Sequence, residues 1–446
     1  MSVEPANLNT EAERGIAEHY RGIRDALPGT QQVAARRDEV FALFERTGLP
    51  HRRVETWKYT DLRALMRHAQ PLAPAPSAEA AAQVHAALTT FGELDRYRLV
   101  IADGYFQEAL SDREALLGEG VEVATMAEFL GFDSPAVLDV LDMPEGAGDD
   151  AMVALNAALV SDGVVILVGD GTTLSKPIEI VHLTTGGEPA SWYARSVAKI
   201  GEGARASLLV SHVGPDGKAT QANSFVGLHV ERSAEVEIVD LQVQGDATQH
   251  IATFSAELAA ESKLNHLVVA AGGAVARLQG FVDIRGEGAE LRVGAANMLA
   301  GSEHGDISWR IDHTVPGAAS RVLYKNASAD EAFGAFQGLI LVRPDAQKTD
   351  GRMMTRTLLL SPEAQFVAKP ELEIYADDVQ CGHGATFGQI DRDALFYLMA
   401  RGIPRDDAEA LLVRAFLVEA LETIGDENVA ASLEPIVDAW LERRAS

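Results

Sequence analysis

Alternating apolar and polar residues fill the middle of the chain and predict a long series of β-strands. From about Gly163 onward, segments such as VVILVG, IEIVHL, ASLLVSHV and EVEIVDLQV carry apolar residues at every second position. This is the period of a strand that buries one face. No helical pattern of comparable length interrupts them, so residues 161–385 are predicted to form an all-β core.

The predicted strands also repeat at a nearly constant interval. A small-residue turn followed by alternating apolar residues occurs six times, with steps of 30, 28, 27, 29 and 28 residues. One such coil cannot bury its own apolar face, so a fixed step with strand content predicts stacked coils in a β-solenoid. A β-sandwich would supply similar strands but gives no reason for a fixed step. The six turns are Gly203-Ala204, Ser233-Ala234, Glu261-Ser262, Gly288-Ala289, Gly317-Ala318 and Asp345-Ala346.

The first 160 residues predict an N-terminal domain that is partly helical and partly mixed α/β. Apolar residues at helical spacing predict helices over 11–27 and 31–47, separated by Pro28-Gly29. A Pro- and Ala-rich linker follows at 70–78. Beyond it, the pattern predicts a strand over 97–102 and a helix over 151–159.

Residues 386–446 predict a C-terminal helical domain. Asp391 is a plausible N-cap for a helix over 392–401 that Gly402 closes. Asp406 and Glu409 resemble a capping box that opens a helix over 407–424, and a last helix covers 429–443. Because solenoid ends expose unpaired strand edges, the helices on both sides are expected to cap the solenoid. The middle helix has a predicted apolar face made of Leu411, Leu412, Ala415, Phe416, Val418 and Leu421.

Charge and targeting signals narrow the class of protein. A formal net charge of -28 and a pI near 4.8 make nucleic acid or an anionic membrane unlikely partners, whereas a basic protein partner is compatible with them. The N-terminus lacks a basic stretch followed by an apolar one, and no apolar run reaches the length of a membrane span. We therefore expect a cytoplasmic protein.

The single cysteine lies two residues before a histidine, at the predicted junction between strand and C-terminal helices. If the strand runs through Val379, Cys381 and His383, its period of two places thiol and imidazole on one face, about 7 Å apart. Two such groups can share a metal or cluster, but one cysteine excludes a four-thiolate cluster built by this chain alone. The alternative is a small core residue at Cys381 and a backbone-capping turn residue at His383. Gly382, Gly384 and Gly388 predict a turn here.

Other motifs give weaker signals. His304, Asp306 and His313 are possible metal ligands on adjacent coils, but no second closely spaced pair supports them. The Gly214 to Thr220 segment does not complete a phosphate-binding loop and predicts a turn at Pro215 to Gly217. No catalytic triad, nucleophile elbow or distinct carboxylate pair is visible, so we expect a protein that is not an enzyme.

A patch near residue 55 gathers basic and aromatic residues in an otherwise acidic chain. It consists of Arg52, Arg53, Trp57, Lys58 and Tyr59. It is either a site for an anion or partner, or an aromatic plug with solvated basic flanks. We favour the aromatic plug.

Three stretches together resemble the SufD family of the bacterial SUF iron-sulfur cluster assembly machinery. They are KPELEIYADDVQCGHGATFGQIDRDALFYLMARGI, the preceding GLILVRPDAQKTDGRMMTRTLLLSPEAQF and the early ETWKYTDL. The resemblance implies a mainly β fold, a right-handed parallel β-helix core flanked by helical domains. It also implies a scaffold that pairs with a SufB-like paralogue through the β-helix and docks a SufC-like ABC-type ATPase on its C-terminal helices.

The same resemblance assigns roles to particular residues. Cys381 and especially His383 would lend ligands to a transient iron-sulfur cluster that the partner subunit completes. The nucleotide would bind to the ATPase, and the chain could pair with itself when its paralogue is absent. The contact residues are instead predicted from the apolar surface that the C-terminal helices could leave exposed, and they are Phe396, Tyr397 and Phe416, together with Arg401. The alternative is a helical hairpin that packs on itself.

Three alternatives remain open on sequence. A SufB-type paralogue typically shows Glu-His-Glu-Ala and further cysteines, whereas this chain has Gly382-His383-Gly384-Ala385 and one cysteine. A β-helix carbohydrate-active enzyme would need a groove of clustered carboxylates and usually an export signal. A self-assembling cytoskeletal solenoid would need two open, apolar ends.

Overall fold

The computed structural model of the protein describes residues 8–88 and 90–445. The first seven residues of the predicted N-terminal domain therefore lie outside the described residues. Two long parallel sheets run through the chain from about residue 97 to 388 and wind into a parallel β-solenoid with helices at both chain ends. The predicted fold class is confirmed.

The helices lie in two groups, at the beginning and at the end of the chain. Single 3-10 turns occur at Arg24–Ala26, Glu55–Trp57 and Glu108–Leu110. The α-helices are α1 (Glu11–Ile23), α2 (Gln31–Thr47), α3 (Leu62–Leu65), α4 (Ala78–Ala86), α5 (Arg113–Leu117), α6 (Met126–Leu130), α7 (Pro135–Asp139), α8 (Ala151–Leu159), α9 (Arg392–Ala400), α10 (Arg405–Leu421) and α11 (Glu427–Ala445).

The strands form two sheets, which we call sheet A and sheet B, and successive solenoid strands alternate between them. Sheet A contains β3 (Val121–Thr125), β4 (Val164–Val168), β6 (Ala190–Ile200), β8 (Thr220–Val230), β10 (Thr248–Leu258), β12 (Val275–Ile284), β14 (His304–His313), β16 (Phe333–Val342) and β18 (Gln365–Ile374). Sheet B contains β1 (Tyr97–Ala102), β2 (Tyr105–Phe106), β5 (Ile178–Leu183), β7 (Arg205–Val213), β9 (Glu235–Val243), β11 (Lys263–Ala270), β13 (Glu290–Leu299), β15 (Ala319–Ser328), β17 (Asp350–Leu359) and β19 (Gln380–Gly388).

The two ends of the solenoid differ. At its beginning, β2 pairs antiparallel with β1 and β3 pairs antiparallel with β4, and Leu116 of α5 is buried in the solenoid interior. At its other end, β18 and β19 are the last strands of their sheets, and each has one paired neighbour within its sheet. The terminal strands of the first end are short, two and five residues, and antiparallel, whereas the second end presents two longer free strand edges of ten and nine residues.

The predicted turns lie where β-strands of sheet A connect to those of sheet B. Five of the six contain a residue in the left-handed region, which lets the backbone reverse within a few residues. In the sixth, the left-handed residue is Lys348 (φ 65°), three positions after the predicted Asp345. The others are Gly203 (φ 66°), Ser233 (57°), Glu261 (59°), Gly288 (73°) and Gly317 (74°).

The solenoid interior is mostly aliphatic but contains a cluster of buried histidines. The ring of His212 lies 4.7 Å from that of His182 and 4.4 Å from that of His250, measured between centroids. Burial lowers the pKa of His212 to about 3 and that of the nearby His266 to about 4. These side chains are therefore neutral at physiological pH.

Helices α1, α2 and α8 pack on the outer face of sheet A, whereas α4 packs against sheet B through Ala81. Thr10 and Glu13 form a capping box at the start of α1, which gives way to a 3-10 turn after Ile23 instead of continuing to residue 27. Helix α2 packs against α8, and both share a buried cluster with Val165 and Tyr193 of sheet A. The predicted bounds of α2, α8 and β1 agree with the structure.

The C-terminal helices pack on the outer face of sheet B, so they do not cap the solenoid end as predicted. Asp391 caps α9 as expected, accepting hydrogen bonds from the backbone N–H groups of Asp393 and Ala394. The capping box predicted at Asp406 is wrong, because α10 starts at Arg405 after Pro404. The predicted apolar face of α10 is only partly right: Leu421 is buried and Phe416 and Val418 are partly buried, but Leu411 is exposed. The buried residues are Ala408, Val413, Leu417, Ala420 and Leu421.

Candidate metal and partner site

Cys381 and His383 lie on β19, the last strand of sheet B. Their backbone pairs with β17, where Cys381 is opposite Gly351 and His383 is opposite Met353. The expected strand through both residues therefore exists. The predicted glycine turn does not, because Gly382, Gly384 and Gly388 all belong to β19 and none adopts a positive φ.

The Cys381 side chain is half-buried and packs against the solenoid interior. Burial raises the pKa of this thiol above its usual range, Asp350 raises it further, and a hydrogen bond from the Gly351 backbone opposes both. In this state the sulfur is a protonated thiol at neutral pH. It becomes a metal ligand only when a cation or a change of surroundings favours the thiolate.

His383 is exposed on the same strand, two residues further on. Within the part of the chain that the structure describes, no group of three or more His, Cys, Asp or Glu side chains is placed to hold a metal. Cys381 and His383 thus supply at most two protein ligands. A metal or cluster bound here needs further ligands from another molecule.

A groove of about 780 Å³ adjoins these two residues and runs between sheet B and the end of α10. Three arginines line it, Arg292, Arg321 and Arg352, at paired positions on β13, β15 and β17. Gly382 continues the same row on β19. Sequence analysis missed this row, although arginines 29 and 31 residues apart follow the solenoid repeat and could have indicated it.

The residues predicted to contact a partner lie in two different environments. Phe396 is 72% exposed and Tyr397 58% exposed on α9, and Arg401 covers the Tyr397 ring at 5.1 Å from its centroid. Leu395 is the buried residue of this helix. Phe416 on α10 is half-buried, with the Lys325 amine 4.3 Å from its ring centroid.

The other candidate metal ligands do not form a site. His304, Asp306 and His313 all lie on β14, so they are not on adjacent coils as predicted. Asp306 is fully buried and pairs with Arg277 and with the Thr60 hydroxyl. His304 contacts the same hydroxyl through Nε2 at 2.9 Å, whereas His313 contacts Ser320. His304 and Asp306 therefore anchor the N-terminal domain to sheet A through Thr60, whereas the contact of His313 lies within the solenoid.

The basic and aromatic patch is a packed plug, as favoured on sequence. Trp57 is 1% exposed and its indole N–H donates to Asp150 Oδ2 at 2.7 Å. The Arg277 guanidinium lies 4.0 Å from the Trp57 ring centroid and donates to the Thr56 carbonyl at 2.7 Å. Lys58 stays exposed.

Fold and site together define a class of protein: a β-solenoid protein with a cysteine and a histidine on the last strand of one sheet, beside a groove. Its solenoid ends in short antiparallel strands on one side and in two longer free strands on the other, with helices on both outer faces. No helix among residues 8–88 and 90–445 is both long and apolar enough to span a bilayer.

Comparison with known proteins identifies the family. The SufBD protein N-terminal region matches residues 12–180, and the SufBD core domain of the SUF system for FeS cluster assembly matches residues 182–416. The chain is 33% identical to the iron-sulfur cluster assembly protein SufD of Escherichia coli, over 86% of this chain and 87% of that protein. It is 28% identical to a SufBD family protein of Synechocystis, covering 84% of each chain. The SufD of Bacillus subtilis is 23% identical over 64% of this chain and 66% of its own length.

The protein belongs to the SufBD family of iron-sulfur cluster assembly proteins. The resemblance to SufD found in three stretches of sequence is confirmed and extends over most of the chain.

Proposed function

We propose that the protein is a SufD-type scaffold subunit that helps to assemble iron-sulfur clusters without catalysing a reaction itself. The observation that carries this proposal is the incomplete ligand pair, Cys381 and His383, on the free edge of the last solenoid coil. The cluster is the cargo of the scaffold and forms transiently. Its remaining ligands come from a partner subunit, and the assembly works in the cytoplasm.

A SufB-like paralogue would bind at the open end of the solenoid. The free edges of β18 and β19 offer unpaired backbone groups along two strands, which a second solenoid can extend by strand pairing. Large apolar side chains are exposed around this end, including Phe387 (53%), Tyr375 (62%) and Ile374 (40%). A second copy of the chain would use the same edge when the paralogue is absent.

A SufC-like ATPase would dock on the C-terminal helices. Helix α9 presents Phe396 and Tyr397 to solvent, and Arg401 stacks on the Tyr397 ring with its Nη2 donating to the Tyr397 hydroxyl at 3.1 Å. Exposed aromatic residues next to an arginine are typical of interface hot spots. Phe416 lies half-buried on the neighbouring α10, next to Lys325, and is a further candidate contact. ATP would bind to the ATPase, with no nucleotide on this chain.

The ligand role is tested with His383→Ala and Cys381→Ser, each purified as a complex with the paralogue and the ATPase. We expect both complexes to assemble, with His383→Ala losing most of the iron and sulfide that the wild-type complex acquires anaerobically. His68→Ala is the matched control, because His68 is an exposed histidine on the N-terminal domain. Wild-type cluster content in His383→Ala would refute the ligand role.

The docking surface is tested with a Phe396→Ala/Tyr397→Ala double variant and with a chain ending before Asp391. Both are expected to lose the ATPase in a pull-down while retaining the paralogue. Phe132→Ala is the control, since Phe132 is 59% exposed on the N-terminal domain. If the double variant retains the ATPase as well as the control does, the docking site lies elsewhere.

A further inference from the structure

The row of arginines on sheet B is a concentration of like charge that the fold itself does not require. Arg292, Arg321 and Arg352 are directly paired across neighbouring strands, so their Cα atoms follow one another at about 4.8 Å. Like charges at directly opposite positions of a sheet repel one another. In a chain with a net charge of -28, three cations in one row are unexpected.

The neighbouring acidic groups only partly neutralise this row. Asp350 pairs with Arg321 and lies 3.3 Å from Arg352 Nε, whereas Arg292 forms no ion pair with any residue that the structure describes. On the opposite wall, Glu419 already pairs with Lys325 and Arg356. The remaining acidic residue of the wall is Glu422. Cations therefore outnumber anions by two among these eight side chains.

The guanidinium groups are accessible to a ligand. The side chains of Arg321 and Arg352 are 40% and 62% exposed, and Arg292 is exposed as well. All three line the groove of about 780 Å³, a volume within the usual range for small-molecule sites. The planar guanidinium binds carboxylate or phosphate oxygens through paired hydrogen bonds.

The spacing of the row and its surroundings favour a small anion over an acidic peptide. An extended peptide places side chains of one face about 6.6 Å apart, which does not match a row that repeats at about 4.8 Å. Glu422 on the opposite wall also repels a long polyanion. A compact ion with several oxyanion groups fits the row without meeting that wall along its length.

We propose that Arg292, Arg321 and Arg352 form a binding site for a small multivalent oxyanion at the end of the groove beside Cys381 and His383. The shared chemistry is that of a polycarboxylate or a pyrophosphate. This site does not depend on the proposed cluster function, because it is defined by the arginines alone.

The test is isothermal titration of the full-length protein with citrate and, separately, with sodium pyrophosphate at low ionic strength, where screening is weak. We expect saturable binding of at least one anion. Arg292→Gln and Arg352→Gln are each expected to weaken it about tenfold or more, the loss of one charge-assisted hydrogen-bond pair. Arg67→Gln is the control, because Arg67 is an exposed arginine in the segment that follows α3 and precedes α4.

The citrate and pyrophosphate titrations distinguish the two classes of anion. Binding of citrate alone identifies a polycarboxylate site, and binding of pyrophosphate alone a phosphate site. The proposal is overturned if neither anion binds, if Arg292→Gln and Arg352→Gln bind as wild type does, or if Arg67→Gln weakens binding equally. It is also overturned if a hexaglutamate peptide binds while both small anions fail. No iron or sulfide is used, so the outcome is separate from that of the cluster experiments.

Discussion

Replacing Glu419 by Gln should loosen the C-terminal helices from the solenoid, because it leaves a buried lysine without its carboxylate. Lys325 on β15 is 1% exposed, and its amine pairs with Glu419 of α10 at 2.5 Å. Removing one partner of a fully buried pair costs about 3–5 kcal/mol. Glu419 is 41% exposed and the Phe416 ring still faces the amine, so we expect a smaller loss of about 2 kcal/mol.

Hydrogen exchange measures this loss where it occurs. If the C-terminal helices open as a unit, about 2 kcal/mol corresponds to roughly 30-fold faster exchange of the protected amides of α10 and α11. Amides of the solenoid interior should be unaffected. Lys325→Met is the matched comparison, because it removes the buried charge and leaves Glu419 paired with Arg356 at 3.1 Å. Lys325→Met should therefore accelerate the exchange of these amides less than Glu419→Gln does.

The effect should also depend on pH. Burial lowers the pKa of Lys325, and the hydrogen bond that its amine donates to Glu419 opposes this shift. Without that carboxylate the pKa falls further, so the folded state loses its proton at a lower pH than the unfolded state does. Stability then rises with pH up to the unfolded pKa of about 10.4, and the defect of Glu419→Gln shrinks from pH 7 to 9. The reasoning is refuted if the amides of α10 and α11 in Glu419→Gln exchange within threefold of the wild-type rate. It is also refuted if Lys325→Met accelerates their exchange more than Glu419→Gln does.

Three further predictions concern the solenoid. Asp306→Asn leaves Arg277 buried without its carboxylate and should cost about 3 kcal/mol by urea unfolding, whereas Asp345→Asn at an exposed turn should change little. Gly286→Ala should lower the thermal midpoint of unfolding by several degrees, because the added Cβ would lie 1.9 Å from the Ala260 nitrogen on the preceding coil. Gly382→Ala should leave the midpoint unchanged, since no atom lies within 4 Å of its added Cβ. Stability should fall by about 1.4 kcal/mol per pH unit for each buried histidine as pH drops from 6.5 toward the pKa of His212 near 3, and His212→Gln should flatten this dependence.

The solenoid was predictable because its signals are local and repeated. Each coil carries the same alternation and a turn that needs a left-handed residue, so the step of 27 to 30 residues is visible in the sequence alone. The ends of helix α2 and strand β1 were predicted correctly for a similar reason, because residues that interrupt regular structure flank a clear hydrophobic pattern. Such features depend little on distant contacts.

The errors arose where distant contacts decide the structure. Glycines suggested a turn after Cys381, yet β17 pairs with β19 from Gln380 to Gly388, and ladder hydrogen bonding outweighs local turn propensity there. In α10 the buried face is set by sheet B and α11, so Leu411 is 49% exposed although it belonged to the predicted apolar face. The arginine row was missed because its members are adjacent only once the coils stack in register.

The unequal ends of the solenoid limit how such a chain can assemble. A solenoid with two open ends can stack without limit into a filament. In this chain the first end carries the short terminal strands β2 and β3 and is filled by Leu116 of α5, so the longer edges of β18 and β19 are the better surfaces for pairing. One partner then satisfies the open edge and no further growth follows. This asymmetry supports the proposed two-subunit assembly, with the proposed ligands Cys381 and His383 where the subunits meet, and it argues against the cytoskeletal alternative.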